Sequence, residues 1–267
     1  MSVNKQLFIL GVKSSWKTMV IFLAVLVMYF GIIIEMFNPE IGQVLIEFEK
    51  AMPELMAMFG MESTGTTLID FVSSYLYGFL MPLMPMIFII ILTNRMIAHY
   101  IDRGSMAYLL AAPVKRVSIV MTQIAVLLSG ILFMVVFCTV LGLAYSELRF
   151  PGQLDIPAYL MMNLGVFTLH LFIAGICFIF SCIFNEEKYS LAFGAGINIL
   201  AYLFQMVRNF GTDFENLKYL TFFSLYSPRD IAEGSTDSYL GMIILTVGAV
   251  ILFGLSVIIF KKKDVPV

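Results

Sequence analysis

Few side chains in this sequence could do chemistry, and their spacing decides which kind. Histidine occurs twice, as His99 and His170, and cysteine three times, as Cys138, Cys177 and Cys182. A structural or catalytic zinc needs three or four converging Cys, His or carboxylate ligands. The three cysteines instead fall inside apolar runs without metal spacing, and read as small buried hydrophobes. The pair Glu186–Glu187 in "NEEKYS" raises a glutamate-based intramembrane hydrolase, but lacks the paired histidines such a site requires. Neither a Gly-x-Ser-x-Gly elbow nor a Gly-rich phosphate loop is present. No bond-making chemistry, metal or cofactor is expected in this chain. His170 lies mid-way along an apolar run, where an ionisable group is either a transport or proton-relay residue or a neutral imidazole bonded to a neighbouring helix. Asn163, Asn198 and Gln205 share that setting. They read as interhelical glue worth about 0.6 kcal/mol each, or as a polar substrate path.

The elements that hold these residues are membrane spans. The chain is 60% hydrophobic and 13% charged, with a mean hydropathy of +0.95. A soluble domain has about 45–50% apolar and about 25% charged residues, so the expected class is an all-α integral membrane protein. A bilayer core takes about 20 apolar residues in a helix, and six segments qualify: residues 18–37, 71–94, 117–145, 158–183, 189–207 and 239–260. Each is nearly free of charge, as it must be when a central charge costs about 2.5–3.5 kcal/mol. Glu35 is the exception, placed near a span end. The fifth segment, with Gly194, Gly196, Asn198 and Gln205, is expected to pack inside the bundle. Tyr29, Tyr75, Tyr77 and Tyr145 read as interfacial anchors. The stretch before Trp16 reads as a surface helix or a frayed tail. No cleavable leader is evident, because the first run is long enough to span.

Basic residues orient the six spans. Lys5, Lys13, Lys17, Arg95, Arg103, Lys115, Arg116, Lys188, Lys261, Lys262 and Lys263 fall on one side, against Lys50, Arg149, Arg208, Lys218 and Arg229 on the other. By the positive-inside rule both termini are expected in the cytoplasm. Glu40, Glu47, Glu49, Glu54, Glu62 and Asp70 then crowd the first outer loop.

That loop has helical periodicity over residues 40–60. Ile41, Val44, Leu45, Phe48, Met52, Leu55, Met56 and Phe59 share one face and Glu47, Lys50 and Glu54 the other. Pro53 either begins a second helix or kinks the first. Such a helix rests on the outer leaflet, caps the bundle, or forms a gate with Phe48, Met52 and Phe59. The third outer loop, residues 208–238, contains Phe222, Phe223, Leu225 and Tyr226. It is too short to span and too apolar to float, which points to a re-entrant or interfacial hairpin buried in protein. Phe222 and Phe223 join the candidate gate.

The most informative stretch is "DRGSMAYLLAAPVKR", residues 102–116. Gly104 permits a sharp turn, residues 105–112 favour helix, and Pro113 ends it by constraining Ala112. The second span is expected to run on past Arg95 and His99 before this turn. The result is a short helix over 104–113 at the inner membrane face, with apolar side chains where a linker would be polar. An apolar patch on a rigid elbow marks a partner site; headgroup binding by its basic residues is the alternative.

This region resembles the intracellular loop of bacterial ABC transporter permeases of the second type. In "LTNRMIAHYIDRGSMAYLLAAPVKR", Ile97, Ala98, Gly104, Leu109, Leu110, Ala111, Pro113, Val114 and Arg116 match that family's pattern, and "KYLTFFSLYSPRDI" and "FKKKDVPV" are similar to its last outer loop and tail. Tyr100 departs from it, standing where many members carry glutamate, so no role of that carboxylate is transferred. The resemblance implies a type V exporter-like fold and a homodimer, or a pair with a similar permease, above two ABC ATP-binding subunits that hold the ATP and Mg. It makes the elbow, with its turn at Gly104 and end at Pro113, a coupling helix, with Met106, Tyr108, Leu109 and Leu110 as apolar anchor and Arg103, Lys115 and Arg116 fixing orientation; Asp102 is the candidate substitute for the carboxylate missing at Tyr100. The expected location is the bacterial plasma membrane. The expected cargo is an amphipathic peptide, antimicrobial or lipid-like molecule, since Met- and Phe-rich surfaces suit greasy, variable ligands. A lipid or polysaccharide export permease and an ion-driven secondary transporter are the alternatives, although the inverted repeats of the latter are not evident. Membrane lipids are expected neighbours and nucleic acid is not.

Overall fold

A computed structural model describes residues 3–37, 47, 50–61, 67–111, 114–210 and 212–264, excepting the side chains of residues 108, 110, 212 and 213. Among these residues every regular element is helical. Six helices are long and apolar enough to cross a membrane: Lys5–Glu35, Leu68–Asp102, Arg116–Arg149, Ile156–Ile183, Glu187–Asn209 and Thr236–Lys262. We label the elements α1 (Lys5–Glu35), α2 (Pro53–Met58), α3 (Leu68–Val72), α4 (Met81–Asn94), α5 (Ile97–Asp102), α6 (Met106–Ala111), α7 (Arg116–Arg149), α8 (Ile156–Ile183), α9 (Glu187–Asn209), α10 (Pro228–Ala232) and α11 (Thr236–Lys262). A π-helical stretch, Ser73–Leu80, joins α3 to α4.

Burial sorts these helices into a centre and a rim. The most apolar window of α8 is 67% buried and that of Leu68–Asp102 61%, whereas α1 and α11 reach only 22% each. So α8 is the axis, and α4, α7, α9, α10 and α11 pack around it. Tyr159, Met162, Val166, Leu169 and Ile173 line its buried face. The helix α7, at 34 residues, is about 51 Å long at 1.5 Å per residue, well beyond a hydrocarbon core of about 30 Å. Its ends therefore reach past the apolar layer on both sides.

Several elements differ from expectation for identifiable reasons. The first helix begins at Lys5, not near residue 18, because the early segment docks on α7. There the Asn4 side chain accepts from the Leu7 N–H at 3.1 Å, and the Asn4 N–H donates to Thr122 Oγ1 at 2.9 Å. The fifth span, α9, lies on the rim: its window is 28% buried, and Leu200, Leu203 and Val207 are exposed. Tyr75 and Tyr77 are not interfacial anchors. Both are buried in the core, and the Tyr77 ring meets Tyr159 edge-on at 5.9 Å.

The described part of residues 208–238 is built of short turns, with Phe223, Tyr226 and Ile231 buried in protein. After α9 come 3-10 turns at Thr212–Tyr219 and Phe222–Leu225, and then α10. Side-chain caps restart the chain at each step. Thr221 Oγ1 accepts from the Phe223 N–H at 3.2 Å, and Ser227 Oγ from the Asp230 N–H at 3.4 Å. Of the outer helix expected over 40–60, the described part is helical at residues 47, 50 and 51 and again in α2, with Met56 buried. Ile41, Val44, Leu45 and Phe48 lie outside the described residues.

The π-helix has a physical cause nearby. The Met81 N–H donates to the Leu76 carbonyl, an i to i+5 bond, and Pro82 has no N–H to offer the next carbonyl, that of Tyr77. The Tyr226 hydroxyl supplies the missing donor at 3.3 Å. Pro85 removes a further donor within α4. Gly78 faces Gly60 so closely that a Cβ there would sit 2.5 Å from the Gly60 carbonyl oxygen. That contact seats the end of the α2 segment on the π-helix.

Candidate functional site

Two regions gather polar side chains: the elbow at residues 95–116, and a cavity at the opposite end of the bundle. At the elbow the second span is broken, contrary to the expected continuous helix. The chain turns at Arg95 and Met96, with Met96 at φ −96° and ψ −121°, before α5 begins. A break leaves the first amides of the new helix without intrahelical acceptors. The Ala98 N–H is satisfied by Ser181 Oγ of α8 at 3.1 Å. Arg95 donates to Thr18 Oγ1 of α1 at 3.2 Å.

Glu187, the first residue of α9, ties the two sides of this break together. Its Oε1 accepts from Asn94 Nδ2 at 2.7 Å, and its Oε2 lies 2.9 Å from His99 Nδ1. Its backbone N–H reaches Asp102 Oδ2 at 3.4 Å. Gly104 follows with φ +68°, the left-handed conformation that only glycine adopts cheaply, and turns the chain into α6. The elbow's far side is held too. Arg116 Nη1 donates to the Lys263 carbonyl at 2.7 Å, and Lys263 Nζ donates to the Cys182 and Phe184 carbonyls at 2.9 and 2.7 Å. Partial burial pushes the Lys263 amine down to about 8.

The expected apolar anchor is only partly available. Met106 is 1% exposed and belongs to the chain's own core, because α6 folds back on α5. Leu109 is half-buried against the same core. Ala111, Lys115, Asp102, Arg103 and Gly104 are exposed. The side chains of Tyr108 and Leu110, and all of Pro113, lie outside the described residues. The face left open runs toward Ala111 rather than Met106.

The polar interior residues differ from the glue expected of them. Asn163 Nδ2 donates to the Tyr159 carbonyl of its own helix at 2.8 Å. Asn198 Nδ2 donates to Gly194 O within α9 at 2.6 Å and lies 3.3 Å from Cys177 Sγ of α8. Gln205 bonds Asn209 within α9. The Asn163 and Asn198 amides bond back because an i−4 carbonyl is always within reach on a helix, whereas a partner helix has to present one. His170 does reach another helix. It is fully buried, with Nδ1 2.8 Å from Val166 O and Nε2 3.2 Å from Pro82 O; with its single proton on Nε2 it links α8 to the Pro-interrupted second span, and with the proton on Nδ1 it bonds within α8. Among the described residues no group of three His, Cys, Asp or Glu side chains could hold a metal.

At the other end lies a cavity of about 310 Å³, walled by the π-helix, the end of α9, the Phe222–Leu225 turn and α10. Gln205, Arg208, Asn209, Arg229 and Asp230 give it a charged rim, and Tyr202, Phe223 and Tyr226 an aromatic wall. Of the candidate gate residues, Phe223 lines it. Phe59 adjoins it, its ring 4.9 Å from Phe79, next to the lining residue Gly60. Phe222 packs on Phe172 at 5.0 Å, and Met52 is exposed. Arg208 and Arg229 count in the sequence only as outer-side basic residues and Glu187 only as half of an acidic pair; the cavity and the Glu187 tie bring together segments far apart in the chain.

Residues 21–266 match the model of a family described as "protein of unknown function (DUF2705)", and the chain belongs to that family. No curated protein and no solved structure matches it.

Proposed function

We propose that the chain is the transmembrane subunit of an ATP-driven exporter, paired with a second copy or a similar permease and with separate ATP-binding subunits that hold ATP and Mg. Both termini and the elbow face the cytoplasm of a bacterial plasma membrane, and the cargo is an amphipathic peptide or lipid-like molecule. The observation that carries this reading is the construction of the elbow. The short helix α6, set off by the Gly104 turn at φ +68°, packs on α5, and the segments on either side of it are tied by hydrogen bonds to α1 from Arg95, α8 from the Ala98 N–H, α9 from Asn94 and the residue after α11 from Arg116. A body tied to four long helices moves them together when pushed, which a solvated linker would not.

In this account closure of the ATP-binding subunits on ATP displaces α6 and α5 as a unit, and the Arg95–Met96 break is the pivot. Such a partner shifts the bundle only as far as it binds one of two bundle states more tightly. The contact surface includes exposed Ala111 and Lys115 and half-buried Leu109, with Met106 serving to hold α6 in place.

The test is whether an ATP-binding cassette protein co-purifies with this chain from its native membranes. Ala111→Asp places a charge on an exposed position and is expected to abolish the complex while leaving insertion and melting unchanged. Complex formation undiminished by Ala111→Asp and by Leu109→Asp counts against docking here. Transport abolished by an uncoupler and indifferent to vanadate assigns the chain to the ion-driven class instead.

A further inference from the structure

We infer that the cavity opposite the elbow binds a small zwitterionic group, a ligand carrying an oxyanion and an ammonium close together. At about 310 Å³ it falls in the range of small-molecule sites, about 300–1,000 Å³. Three charged side chains line it, and they are not equivalent. Arg229 is occupied, its Nε 3.1 Å from Glu233. Arg208 makes no ion pair among the described residues, and its one side-chain bond is a long one to Gln205 Oε1 at 3.5 Å. A guanidinium has five N–H donors in a rigid fork that fits carboxylates and phosphates, so most of its donors are uncommitted. Asp230 is the opposite case. It is exposed at the cavity rim; its N–H is held by Ser227, which fixes the backbone, and its carboxylate faces solvent with no hydrogen bond or ion pair among the described residues.

Two opposite charges therefore share one cavity without pairing to each other. A simple anion seated on Arg208 would meet repulsion from Asp230, and a simple cation on Asp230 would meet it from Arg208 and Arg229. A ligand that supplies an oxyanion to Arg208 and an ammonium to Asp230 satisfies both, by charge-assisted hydrogen bonds. The aromatic wall of Tyr202, Phe223 and Tyr226 accommodates its apolar remainder, and a cation can also rest on such rings. The π-helical wall agrees with this assignment, since π-stretches within helices concentrate at functional sites. Two sources share this chemistry: an amine-bearing phospholipid headgroup, and a soluble amino acid or dipeptide. The inference needs no ATPase partner and stands apart from the export reading.

The test uses the full chain in detergent. Native mass spectrometry measures bound phosphatidylethanolamine against phosphatidylglycerol, and calorimetry measures glycyl-leucine against N-acetyl-glycyl-leucine. Saturable one-to-one binding of phosphatidylethanolamine or glycyl-leucine, preferred over its simple-anion counterpart, is the expected result, and which of the two binds identifies the source. Arg208→Gln should weaken it about tenfold or more, with Arg208→Lys intermediate. Asp230→Asn should erase the preference for the zwitterion. Thermal melts of each variant separate loss of binding from loss of fold. The inference is overturned if no probe binds saturably, if Arg208→Gln and Arg208→Lys bind as wild type, or if anion and zwitterion bind alike before Asp230 is changed.

Discussion

Removing the Glu187 carboxylate should loosen the elbow by an amount that the structure allows to be worked out. Glu187 accepts from Asn94 at 2.7 Å, and a hydrogen bond to a charged group is worth about 1.5–3 kcal/mol. Its contact with His99 at 2.9 Å involves side chains that are 26% and 30% exposed, and such a solvent-reached pair contributes about 0–1 kcal/mol. Together Glu187→Ala should cost about 2–3 kcal/mol of local stability. At 1.36 kcal/mol per factor of ten, even 2 kcal/mol raises the opening equilibrium about thirtyfold. The loss should reach α5 and the α6 packed on it and spare α7, which Arg116 holds to the Lys263 carbonyl. Hydrogen–deuterium exchange on the protein in nanodiscs reads this directly, through protection of the amides of Ile97–Asp102. Glu187→Gln keeps an acceptor for Asn94 and should lose about 1 kcal/mol or less. Replacing both partners, Asn94→Leu with Glu187→Ala, should recover part of the loss, because no buried donor is then orphaned. Unchanged α5 exchange in Glu187→Ala would refute the reasoning, and equal losses in Glu187→Ala and Glu187→Gln would refute the division between its two contacts.

Three further outcomes follow from the same structure. Lys263 is pushed down to about 8, so between pH 8 and its ordinary value near 10.5 the unfolded chain binds more proton than the folded one and stability rises with pH. The neutral amine still has two N–H groups for the Cys182 and Phe184 carbonyls. The melting temperature of wild type should therefore climb across that window, while that of Lys263→Met stays flat; parallel curves would contradict this. Gly78→Ala, with a Cβ 2.5 Å from Gly60 O, should cost about 1–3 kcal/mol, seen as lower stability in a denaturant melt and faster proteolysis in the Pro53–Gly60 segment. Because Cys138, Cys177 and Cys182 are buried, single cysteines at Lys115 and Tyr219 can report orientation. An impermeant maleimide on intact cells should label the residue at 219 and spare the one at 115, and the reverse pattern would invert the proposed topology.

How much of this was legible in the sequence depended on the range over which each feature is specified. Six helices were evident because an apolar run of twenty residues has few alternatives in a folded chain. The left-handed turn at Gly104 was legible because a glycine before a run of helix formers has a local reason to be there. The break at Arg95–Met96 was not, since neither residue disfavours helix; it is sustained by Ser181 and Glu187, which lie more than eighty residues away. Pro82 and Pro85 were the available signal for the irregular backbone before α4, because each removes an N–H that a regular helix would use. Met106 illustrates a different limit. An apolar residue at an elbow can serve a partner or its own bundle, and only the fold of α6 onto α5 assigns it to the bundle. The rim position of α9 was hidden for a related reason: Asn198 and Gln205 suggested interior polar contacts but bond largely within their own helix.

The most direct measurement of the central claim is photocrosslinking from position 111, with a diazirine amino acid in place of Ala111, in native membranes together with whichever ATP-binding cassette protein co-purifies with the chain. The account predicts a crosslink to that protein whose yield changes when ATP with vanadate is added, and no such crosslink from a probe at Tyr219 at the opposite end. Adducts at position 111 with lipid alone, in the presence of ATP and of the cassette protein, would contradict it.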